Sequence, residues 1–140
     1  MSAYEIMDLI ASQLSIINEV WNFFLTIHMA VIGLLIIARQ YVPWAMKLVV
    51  ITAYLGFLGV NYSAQIDNYT RLEALYEQAG QREAAGEYSN GAMAYGDLMR
   101  DYGVEEPKRF LPIVYSFSAG MTILCLAFVN TVQGRHRDDD

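Results

Sequence analysis

Residues 20 to 38, VWNFFLTIHMAVIGLLIIA, run without a formal charge. At a rise of ~1.5 Å per residue, a helix over them covers roughly the 30 Å hydrocarbon core of a bilayer. The chain around this segment has 140 residues, 55% of them hydrophobic and 17% charged, with a mean hydropathy of +0.26. That apolar excess is larger than a small soluble domain carries, so the expected class is an all-α integral membrane protein.

Two further segments fit the same description. Arg39 and Tyr41 mark an interface after the first span, and Pro43 suits the first turn of a new helix. The second span is expected over 43–61, with Trp44 at its entry, Tyr62 at its exit and Lys47 one turn inside, close enough to snorkel to the headgroups. The third is expected over 110–130, followed by a charged tail, RHRDDD. Three spans place the two termini on opposite sides of the membrane.

The leader, residues 1–19, has Glu5, Asp8 and Glu19 but no Lys or Arg, so it lacks the basic start of a cleavable signal and is expected to stay attached. Ile6, Ile10, Leu14 and Ile17 recur at three and four residues, which predicts an amphipathic helix that lies on the membrane or runs straight into the first span. The segment between spans two and three, 62–109, is net acidic. Ile66, Tyr69, Leu72, Leu75, Tyr76 and Ala79 form an apolar stripe within it, so span two is expected to continue out of the bilayer as a helix that needs a packing partner. YSNG at 88–91 reads as a turn, and AMAYGDLMRDYG as a second short helix ended by Gly103. The whole is read as a single membrane domain: leader, helical hairpin 20–61, acidic loop 62–109, third span 110–131 and tail 132–140.

Basic residues are balanced between the two sides. They are compact in the hairpin loop and the tail and missing from the leader, which favours a plasma or inner membrane orientation with the leader and the 62–109 loop outside and the C-terminus in the cytoplasm. Asn61-Tyr62-Ser63 and Asn68-Tyr69-Thr70 match the glycosylation acceptor pattern, as chance matches on a helix also would.

A net charge of −6 supplies no basic footprint for nucleic acid. One cysteine, Cys125, and two histidines make a conventional metal site within one chain improbable. Phosphate loops, nucleophile elbows and dinucleotide fingerprints are missing, so no enzyme is expected. His28 near the middle of the first span is the lone candidate for chemistry there. As an intramembrane ionisable group it is a candidate proton relay, pH switch or ligand for haem shared between copies. The alternative is a neutral imidazole bonded to a hydroxyl or carbonyl of a neighbouring helix.

Polar and small residues map onto faces. At about 100° per residue, Asn18, Glu19, Asn22, Thr26 and Gly33 share one face of helix one, which reads as a hydrogen-bonded packing seam or as the vestibule of a water-filled path. On helix two, Lys47, Tyr54 and Asn61 recur every seven residues, extended by Gln65, while Thr52, Gly56, Gly59 and Ser63 stack on the opposite side as a groove for close helix packing. Ser116 and Gly120 repeat that spacing on helix three, beside a face of Tyr115, Ser118, Thr122 and Cys125. Two opposed faces that lipid suits poorly predict association, with copies of the chain or with another integral membrane subunit. The leading expectation is a self-assembling ion channel or pore lined by polar positions of helices one and two. The alternatives are an accessory subunit of a larger membrane complex and a haem- or quinone-linked redox protein acting through His28. In arrangement alone, three spans with a leader outside and a charged tail inside, the chain resembles the three-span class of phage holins, although its 62–109 loop is longer than that resemblance implies.

Overall fold

The computed structural model describes residues 3–37, 43–86 and 105–128, and these form three helices: α1 (Ala3–Ile37), α2 (Trp44–Ala84) and α3 (Glu105–Phe128). No strand occurs among the described residues. Two of the helices, over Glu5–Leu34 and Ala45–Ala84, are long and apolar enough to cross a membrane. The hairpin turn after Ala38, the YSNG turn, the short helix before Gly103 and the tail lie outside the described residues.

Local chemistry accounts for the helix ends that can be read. Pro43 has no amide hydrogen to lose at a helix start, and its carbonyl accepts from the amides of Met46 and Lys47 at 3.0 and 3.1 Å. Gly86 closes α2 with φ of 72°, a left-handed conformation that glycine adopts without a Cβ penalty, after its amide and that of Ala85 have bonded the carbonyls of Glu83 and Gln81. The leader is continuous with the first apolar segment, since α1 runs through both without a break.

Contacts divide the chain into two compact units, Met1–Trp21 with Ser63–Leu111, and Asn22–Tyr62 with Pro112–Asp140. In the first unit the extended stripe of α2 finds its partner in the leader. Ile6, Ile10 and Ile17 are buried together with Tyr69, Leu72, Tyr76, Ala79 and Leu111. Ile66 and Leu75 are only half-buried. Leu14, expected on the apolar face of the leader, is exposed, and Gln13 is buried in its place. The spacing explains the exchange, because residues 6, 10, 13 and 17 alternate steps of four and three and so follow one seam along a helix.

Gln13 can occupy that seam because it is paired. Its Nε2 donates to the carbonyl and to Oδ1 of Asn68, at 3.3 and 3.1 Å. Trp21 Nε1 donates to the Tyr69 hydroxyl at 3.2 Å, Gln65 Nε2 reaches the Ile17 carbonyl at 3.4 Å, and Lys108 forms an ion pair with Glu73. Low-numbered residues of α1 meet high-numbered residues of α2, so the two helices run antiparallel here.

The second unit buries polar groups beside Phe24, Leu58 and Tyr115 and leaves many large apolar side chains outside. Lys47, Asn61, Ser118 and Thr122 are buried, whereas Phe23, Met29, Leu34, Val49, Val60 and Phe117 face outward. Here too α1 and α2 are antiparallel, with Phe23 edge-on to Phe57 at 5.6 Å and His28 bonded to Tyr54.

Candidate functional site

In the Asn22–Tyr62 and Pro112–Asp140 unit the polar side chains meet along one seam. Every seventh residue of a helix returns to nearly the same face, so Lys47, Tyr54 and Asn61 form a line on α2. All three are buried, with Leu58 between the last two. On α3, Tyr115, Ser118 and Thr122 follow at steps of three and four, and all are buried.

Two of the polar groups on the α2 line, Tyr54 and Asn61, are each matched by one from a neighbouring helix. Asn61 Oδ1 accepts from the Tyr115 hydroxyl, which joins α2 to α3. His28 Nδ1 bonds the Tyr54 hydroxyl, which joins α1 to α2. Phe24 fills the space among them. Its ring lies nearly parallel to His28, 14° apart at 5.7 Å between centroids, and 4.8 Å from Tyr115. Tyr62 packs edge-on against Tyr115 at 5.4 Å. Thr122 is buried, and its Oγ1 has no hydrogen-bond partner among the described residues.

The structure therefore aligns Lys47, Tyr54 and Asn61 on one buried face of α2 and bonds the half-buried His28 to Tyr54. It does not bring Asn18, Glu19, Asn22 and Thr26 to them. Those four are exposed, on the opposite side of α1, and the Thr26 hydroxyl donates back to the Asn22 carbonyl at 2.7 Å. The two polar sets assigned to one lining on sequence grounds are thus separate: one is closed within the chain, the other faces outward. His28 takes the arrangement in which an imidazole pairs with a hydroxyl of a neighbouring helix. Among the described residues no group of three metal-ligating side chains gathers, and Cys125 is a half-buried free thiol.

Among the described residues the glycines of this stripe have open space beside them. Thr52, Gly56, Gly59, Ser63 and Ser116 are exposed, and a Cβ added at Gly56, Gly59 or Gly120 would meet nothing within 4 Å. A groove of about 280 Å³ lies beside this stripe, bounded by Leu55, Gly59 and Tyr62 of α2 and by Pro112, Ser116 and Ala119 of α3. Both glycosylation patterns have their asparagines engaged, Asn61 with Tyr115 and Asn68 with Gln13.

Sequence reasoning gave Phe24 no part in the site and left Gln13 off the leader's buried face. The signal was present in the spacing, since Ile10, Gln13, Ile17 and Phe24 continue one seam along α1. Tyr115→Phe is expected to cost about 1–3 kcal/mol, because it leaves the buried Asn61 oxygen without a donor. Asn61→Leu on the Tyr115→Phe background should recover much of the loss, as read by reversible unfolding in detergent.

No family model matches the chain, and no curated protein and no solved structure matches it.

Proposed function

We propose that the chain is a non-enzymatic membrane protein of three spans that assembles with copies of itself into a channel or pore, with the outward stripe of α1 lining the path. The observation that carries this reading is the apolar exterior of the second unit, with Met29, Val60 and Phe117 outside while Lys47, Asn61 and Thr122 are inside. Water favours the reverse arrangement, whereas lipid favours apolar exteriors and polar groups paired between helices. Since Lys47, Tyr54 and Asn61 are committed to the seam, a path shared between copies would take its polar surface from Asn18, Glu19, Asn22 and Thr26. The third span, and an orientation with the hairpin turn and tail in the cytoplasm, are part of the same proposal.

Extraction from the native membrane into nanodiscs tests it. A closed homo-oligomer, an integral multiple of 15.8 kDa, is the expected result. Gly56→Leu should lower that multiple without unfolding the chain, because the space around Gly56 is open within it. Asn22→Leu and Thr26→Val should change ion flux into liposomes, and unaltered flux in both would sink the assignment of the lining. A single copy held by a larger partner would instead favour the accessory subunit, whose docking face would be the same exposed small residues.

A further inference from the structure

The outward face of α1 has a register of its own. Asp8, Ser12, Ser15, Glu19, Asn22 and Thr26 recur at steps of four and three, and all are exposed. At about 100° per residue they lie opposite the buried Ile6, Ile10, Gln13 and Ile17. Exposed apolar side chains flank this strip, Leu14 and Leu25 on one side, Ile16 and Phe23 on the other. A polar strip between two apolar ridges suits a helix that meets lipid or its own copies through the ridges and turns the strip toward water.

The chemistry of the strip has one sign. Every charged residue among the described residues of α1 is acidic: Glu5, Asp8 and Glu19. Glu19 is the last of them before the uncharged stretch that opens at Val20, and it is followed along the strip by Asn22 and Thr26. No ion pair neutralises Glu19 among the described residues. Asp8 lies roughly 16 Å farther from that stretch along the helix axis, about twice the ~8 Å over which physiological salt screens a charge. The Thr26 hydroxyl donates its proton to the Asn22 carbonyl, so its oxygen has only lone pairs left to present outward, which suits a cation and not an anion.

We infer that the path passes cations and that Glu19 is the group that selects them. The inference rests on the pore reading above and names what the pore carries. In a closed assembly each copy contributes one Glu19, and the carboxylates form a ring where the aqueous entrance meets the apolar stretch. Rings of this kind raise the local concentration of cations and exclude anions, and the effect is strongest where low-dielectric walls focus the field. Beyond the ring, Thr26 offers oxygen to an ion that has shed part of its water.

The test is the zero-current potential of the full chain in liposomes across a potassium chloride gradient. The parent is expected to favour potassium over chloride by about tenfold. Glu19→Gln should bring the ratio close to unity, Glu19→Lys should turn it toward chloride, and Asp8→Asn should retain the parent's preference. A conducting parent without cation preference, or a Glu19→Gln variant that keeps the parent's ratio, would overturn the selector and leave the pore standing. Assembled Glu19→Gln and Glu19→Lys variants that both fail to conduct would overturn it as well, since Glu19 would then hold the path open and not choose its ion. A closed homo-oligomer with no ion flux at all would instead remove the pore reading, and the selector with it.

Discussion

Met29→Arg is expected to reduce insertion of the first apolar segment by roughly a hundredfold, following the ~2.5–3.5 kcal/mol that arginine costs at the centre of a spanning helix. Met29 is 64% exposed on the outside of its unit, so the arginine would displace no packed neighbour. In water an exposed substitution of this kind changes stability by no more than about 0.5 kcal/mol. The two environments thus give opposite outcomes for one change. Residue 29 is also the midpoint of the uncharged stretch, and in the proposed span it would lie too far from either headgroup layer for the side chain to snorkel without deforming the bilayer. Asp8→Asn, at an exposed position of the leader, adds no basic residue, should leave insertion unchanged and serves as the control. The readout is the fraction of chain integrated in an assay that reports translocation of a tagged terminus. Equal integration of Met29→Arg and the parent would mean that the apolar exterior meets something other than lipid.

The helices themselves were largely legible in the sequence. The uncharged run before Ala38, Pro43 at a helix start and the recurrence of Ile6, Ile10 and Ile17 are local signals, and α1 and α2 follow them. Partnerships were less legible because they depend on register between segments far apart in the chain. The stripe of Tyr69, Leu72, Tyr76 and Ala79 announced that α2 needed cover, but nothing within it named the leader as that cover. On α2 the line of Lys47, Tyr54 and Asn61 suggested a surface seeking water or another subunit. The structure closes that line with His28 of α1 and Tyr115 of α3, groups whose pairing is invisible until the helices are aligned side by side. The inference that both faces of α2 require outside partners therefore loses one of its two supports. The face of Thr52, Gly56 and Gly59 retains its own.

Phe24→Ala is expected to destabilise the folded chain by about 3–5 kcal/mol, whereas Phe23→Ala, one residue earlier, should cost no more than about 1 kcal/mol. The two changes remove the same atoms from the same helix and differ only in the direction the ring points. Phe24 is 1% exposed and lies between His28 and Tyr115, so its loss opens a cavity where three helices meet. That cavity would separate the His28–Tyr54 pair from the Asn61–Tyr115 pair, and the rings around it would lose dispersion contacts on one side. Phe23 is 57% exposed and makes one edge-on contact, with Phe57. An isolated aromatic pair of that kind contributes about 0.5–1.5 kcal/mol, part of which other apolar contacts would replace. Because the comparison is internal to one turn of helix, differences in insertion or expression largely cancel. Unfolding of the two variants in mixed micelles, followed by loss of helical signal, measures the gap directly. Equal losses would place the seam on the wrong face of α1, and with it the half-buried pairing of His28 with Tyr54.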